Sequence, residues 1–199
     1  MSKPRLATVL AAIDAANAAD PNRVMADGEE RAAERLYGER MSAALASLYP
    51  DGSEHLRIAA RGQHIERWTS PRGNYPDGRV GYLKWRKALM DYHARRLAEI
   101  MREAGYEEAD IARVGALVRK EKIKYDAEAQ ALEDVICVVF LKHYFADFAA
   151  KHEDAKLIDI VRKTWSKMSP KGHEAALALK LPERAARIVK AALAGSPAD

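Results

Sequence analysis

The run "LEDVICVVFL", Leu132 to Leu141, decides the class of fold. From Val135 to Leu141 it is apolar on every face, and a helix without a polar side is one that lies buried. It belongs to a longer helical stretch, "QALEDVICVVFLKHYFADFAA", which starts near Asp126 and predicts a central buried helix over about 130–150. Outward in both directions the chain continues to read as helix. Pro4 to Ala18 forms a first helix, stopped at "ADPN" with Pro21 as breaker. A second covers about Glu29 to Leu48, and Pro50, Asp51, Gly52 and Ser53 make a turn with Ser53 placed as N-cap for the third. The third runs through "LRIAARGQHIERW", Leu56 to Trp68, as far as the loop "TSPRGNYPDGRVG". A fourth, about Tyr82 to Ala104, is closed by Gly105, and a fifth spans about Glu107 to Lys120. After the central helix come Asp154 to Ser169 and two short helices, "HEAALALK" and "ERAARIVKAALAG". There is no β-period alternation of useful length and no internal repeat. The expectation is an all-α multi-helix bundle: one domain over 1–199, with a core at about 10–150 and C-terminal helices at 154–195 packing on it.

Composition narrows the chemistry. With 48% apolar and 31% charged residues in 199, the chain can build a true core under an ordinary charged surface. A net charge of +4 is too weak to argue for nucleic acid on its own. The single cysteine, Cys137, excludes an internal disulfide and a four-thiolate zinc site, and fits a reducing, cytoplasmic location. The N-terminal stretch contains Asp14 and lacks a long apolar run, so it makes a poor signal peptide. No segment has the uninterrupted apolar length of a membrane span.

Against that background the polar residues of the third, fourth and sixth helices stand out. Helical spacing puts Leu56, Ala59, Ala60, Gln63 and Arg67 on one stripe, with His64 at its edge. Tyr82, Arg86, Leu89, His93, Leu97 and Ile100 form another, and Gln130, Asp134, Cys137 and Leu141 a third, with Glu133 beside it. Buried charges are expensive unless paired or bound to a ligand, so these groups predict either a polar network or a site. A lone inward histidine is usually a satisfied core group, and Arg86 paired with Asp134 would be a purely structural alternative. No pair has the spacing of a helical metal motif such as HExxH.

These same residues carry a resemblance. "LRIAARGQHIERW", "YHARRLAEIMREAGY" and "DAEAQALEDVICVVFL" resemble the HD-domain metal-dependent phosphohydrolases. More closely, "LYGERM", "QHIERW", "YLKWRKAL" and "LEDVICVVFL" resemble an uncharacterised family, some members of which are labelled glutamyl-tRNA synthetase-like. The superfamily pattern puts Gln63 and His64 where its His-Asp pair belongs, His93 on its later histidine, and Asp134 or Glu133 on its final aspartate. Its first histidine has no counterpart, and Glu39 or Glu34 would replace it. The resemblance therefore implies a divalent metal ion on His64, His93, Asp134 and Glu39, activating water for phosphoryl transfer, with Glu133 and Arg67 as catalytic residues. Gln63 departs from the pattern, and such a set could bind a different metal, bind weakly or bind none.

A small phosphorylated or anionic ligand would need cations, for which Arg61, Arg72, Arg79, Arg86, Lys120 and Lys122, with Gln63, are the candidates. The rival expectation is a degenerate HD-like domain that binds an anionic ligand or RNA without hydrolysis. A synthetase reading is set aside: "SKMSPKG" resembles a KMSKS loop, but no HIGH motif and no βαβ pattern accompanies it.

Overall fold

A computed structural model describes residues 3–121 and 123–194. Among the described residues helix accounts for 73% and strand for 4%, in keeping with the all-α expectation. The fold divides into two compact units, residues 1–129 and 130–199, so the division falls inside a helix and not near residue 150.

In the first unit, α1 (Lys3–Ala18) lies against α2 (Ala33–Leu48), α3 (Glu54–Arg61) and α4 (Gly78–Glu103). α3 also packs on α5 (Glu108–Val118), which runs beside α4. Val9, Ile13, Met41, Leu56, Ile58, Ile65, Leu97, Met101 and Leu117 fill the space between them, all essentially buried. Ser53 caps α3 as its residue type predicts, its Oγ accepting from the Leu56 N–H at 3.1 Å.

Two elements of the first unit differ from the sequence reading. The residues read as the start of a long second helix form instead a strand, β2 (Glu29–Ala32), paired antiparallel with β1 (Arg23–Ala26) in a hairpin. Asp27 and Gly28 both take positive φ, +52° and +82°, the geometry of a two-residue I′ turn. That turn fixes the register and delays α2 to Ala33. The third helix is also shorter than its periodicity suggests: it stops at Arg61, and Gln63 to Glu66 form a tight turn ahead of a single 3-10 turn at Arg67–Thr69. Gly62 begins that turn. A Cβ there would lie 2.4 Å from the Leu97 Cδ2, so the backbone of the turn presses directly onto α4. Gln63, His64 and Arg67 consequently reach their positions from a turn and not from a helical stripe.

The second unit begins within α6 (Ala127–His143) and continues through α7 (Phe145–Ala149), α8 (Asp154–Trp165), α9 (Pro170–Leu177) and α10 (Glu183–Ala194). The apolar run is buried as expected, with Val135, Cys137, Val138, Val139 and Leu141 all under 5% exposed. The helix ends at His143, short of 150, and Tyr144 separates it from α7. There Phe140 meets the rings of Phe145 and Phe148 edge-on, at 5.8 and 6.1 Å. α10 packs on α8 and α7, closing a core of Phe145, Leu157, Val161 and Ile188. Among the described residues no helix is long and apolar enough to cross a membrane.

Candidate functional site

The candidate site is built on one peptide group. The Ile65–Glu66 peptide is held on both sides: its N–H donates to the Asn17 Oδ1 at 2.9 Å, and its carbonyl accepts from the His93 Nδ1 at 2.7 Å. Glu66 is left-handed, with φ +52°, a conformation that costs a non-glycine residue about 1 kcal/mol. Its carboxylate is fixed by the Tyr92 hydroxyl at 2.7 Å and the Arg96 Nε at 3.0 Å. The outcome is a defined state for His93. A carbonyl can only accept, so Nδ1 carries the proton and Nε2 presents a lone pair. That Nε2 is buried and has no hydrogen-bond partner, and the same is true of Oε1 of Gln63 on the facing turn.

His64 stands beside His93 with ring centroids 6.2 Å apart. Its ring stacks on Tyr37 from α2 at 4.0 Å and an interplanar angle of 9°. Its Nδ1 faces the Glu34 Oε2 at 3.3 Å, a carboxylate–imidazole arrangement that again turns Nε2 into the acceptor. Glu34 opens α2, where its own N–H is capped by the buried Asp20 at 2.9 Å. The other oxygen of Glu34 lies 3.5 Å from Arg67, whose guanidinium sits 5.2 Å over the Trp85 ring. Trp85 anchors the loop, donating from Nε1 to the Ser70 carbonyl at 2.8 Å.

Electrostatics keep both imidazoles neutral. Burial drives His93 down to about 3, and the neighbouring His64 pushes it the same way. Burial also lowers His64; Glu34 opposes this, while the positive charges of Arg67 and Lys120 reinforce it. The arrangement is therefore two neutral imidazoles with lone pairs to offer, beside the Glu34 carboxylate and the cations Arg67 and Lys120.

Other predicted site residues are engaged elsewhere. Arg61 makes a bidentate pair with Asp14, both contacts 2.6 Å, tying α3 to α1. Arg72 donates to the carbonyls of Tyr75 and Pro76, each at 2.8 Å, and so braces its own loop. Arg86 lies against the Tyr82 ring, and Arg79 is exposed. Glu39 pairs with Arg31 and Arg35, so the glutamate of α2 beside His64 is Glu34. Glu133 and Asp134 are buried in the second unit. There Asp134 accepts from the Ser169 N–H at 2.8 Å and the Ser169 hydroxyl at 2.5 Å, buttressing the start of α9. Lys122 lies outside the described residues.

As for the metal, among the described residues no group of three or more His, Cys, Asp or Glu is placed to hold an ion. The lone pairs at hand in the first unit belong to two imidazoles and one amide, whereas a catalytic zinc takes three protein ligands from His, Cys and carboxylates. No hydrolytic step through a metal is derived from this set.

Residues 7–189 match the family described as a domain of unknown function, DUF4202. The chain belongs to the DUF4202 family. No curated protein and no solved structure matches it. The DUF4202 match runs beyond residue 150, through α8 and α9 into α10, so the C-terminal helices are part of the family and not an appendage. In this DUF4202 chain the sequence reading missed Asn17, Asp20 and Tyr37. Asn17 and Asp20 sit in "ANAADPN", where polar residues read simply as the end of a helix. Asn and Asp are also the residues that bind stray backbone N–H groups, and both do so here while fully buried.

Proposed function

We propose that this protein is a catalytically degenerate HD-like domain that binds a small anionic compound, phosphorylated in the simplest case, at the His64–His93 site. The observation that carries the reading is the Arg67 guanidinium beside the His64–His93 pair, with the positive charge of Lys120 also felt at the His64 ring. Arginine engages phosphate oxygens through a planar fork, and a charge-assisted hydrogen bond of this kind is worth about 1.5–3 kcal/mol. RNA is the weaker partner, because Arg61 and Arg72 are tied into the fold and do not form a basic track. Calorimetric titration with inorganic phosphate and simple phosphate monoesters is expected to show binding, weakened about 10- to 100-fold in Arg67→Ala. Arg79→Ala, on an exposed residue, serves as the control. Equal affinity in wild type and Arg67→Ala, or no binding at all, would reject the reading.

A metal-dependent phosphohydrolase is the second reading, favoured by the bare lone pairs of His93 Nε2 and Gln63 Oε1. The check is elemental analysis of the purified protein: stoichiometric metal, lost in His64→Ala while the helical signal persists, would support it. Metal-free parent protein would count against it.

A further inference from the structure

The two buried atoms that lack partners share a chemical sign. Oε1 of Gln63 is an acceptor, and so is Nε2 of His93, because the Ile65 carbonyl holds the ring proton on Nδ1. Their residues are 6% and 2% exposed, and the turn that bears Gln63 is the one whose carbonyl holds His93. Leaving a buried acceptor unmet costs about 1–3 kcal/mol, so each of the two calls for a donor. The neighbouring charges make opposite demands: Arg67, 3.5 Å from Glu34, and Lys120 favour an anion. A bare phosphate satisfies the cations and leaves the two acceptors facing more oxygen lone pairs.

We infer that the compound taken by this site is a phosphate ester that also carries an amine, with the phosphate at Arg67 and the amine hydrogens directed at Nε2 of His93 and Oε1 of Gln63. This rests on the anion-binding reading above and adds the second functional group of the ligand. Glu34, whose negative charge is felt at His93, favours a cationic amine over a neutral N–H.

The test is a ratio measured within each protein. ω-Aminoalkyl phosphates with two to four carbons are titrated at neutral pH against the alkyl phosphates of equal chain length, by calorimetry. In the wild type at least one amine-bearing ester is expected to bind about tenfold or more tightly than its match. In Gln63→Met, which keeps the length of the side chain, the advantage should fall several-fold; His93→Leu is the second variant and should do the same. A wild-type ratio near one overturns the inference, with ordered water then meeting both acceptors, while binding of both esters leaves the anion reading intact. An advantage that survives in both variants also overturns it. Failure of every ester and of inorganic phosphate to bind rejects the anion reading, and this inference with it.

Discussion

Replacement of Asp134 by alanine is expected to destabilise the protein by about 3 kcal/mol, although the residue type and its position on a buried helix suggest a metal ligand. The carboxylate is fully buried. Oδ1 accepts from the Ser169 N–H at 2.8 Å and the Gln130 amide at 3.1 Å, and Oδ2 accepts from the Ser169 hydroxyl at 2.5 Å. That hydroxyl in turn accepts from the Gly172 N–H at 3.2 Å, so the first turn of α9 is capped by Ser169 and Ser169 is held by Asp134. Removing the acceptor strands part-buried donors at up to about 1–3 kcal/mol each, less whatever water can enter. Asp134→Asn should fall between, since one oxygen still accepts. The readout is urea unfolding followed by circular dichroism, and Ser169→Ala combined with Asp134→Ala should be non-additive by about 1 kcal/mol or more. A change under about 0.5 kcal/mol in Asp134→Ala, or strict additivity with Ser169→Ala, would show that the carboxylate does not serve this cap.

How much of this could be read beforehand follows from which residues act locally. α1, the Ser53 cap, the Gly105 stop and the apolar run of α6 were legible because each depends on residue type and short-range spacing. The hairpin was hidden because "EERAAERLYGERM" has helical composition throughout, and only the conformation of Asp27–Gly28 commits its first residues to a strand. The end of α3 was hidden for a different reason. Glycine inside a helical pattern is tolerated, and the close approach of Gly62 to the Leu97 side chain joins positions thirty-five apart in sequence. The site was half legible. His64 and His93 do meet, but an arginine's sequence position says nothing of Asp14, which takes Arg61, or of the loop carbonyls that take Arg72. Nor could spacing reveal that Asn17, in another helix, orients the peptide on which His93 depends.

Acid should destabilise the first unit well before its carboxylates protonate. His93 is neutral in the fold, with its pKa driven down to about 3 by burial, whereas in the unfolded chain it titrates at the ordinary value of about 6.5. Between those values the unfolded state binds a proton that the folded state refuses, so stability rises with pH across the window. The contribution is intact above about pH 6.5 and is lost progressively as pH falls, the loss reaching about 4 kcal/mol by pH 3. By pH 5 the loss is already about 2 kcal/mol, from 1.5 units below the unfolded value. His64, lowered in the same direction by burial, adds to the slope, with Glu34 opposing and Arg67 and Lys120 assisting. The paired carboxylates of Asp126 and Asp110 are held below their usual values, chiefly by Arg113 and His55, so they lose their contribution only at lower pH. The stretch from pH 6.5 to 5 thus isolates the imidazoles. Urea unfolding over that range should show a steep loss in the wild type and a shallower one in His93→Gln, whose amide can still donate to the Ile65 carbonyl. Parallel slopes in the two proteins would mean that the ring takes up its proton inside the fold at little cost. The buried Nε2 would then already have an acceptor facing it.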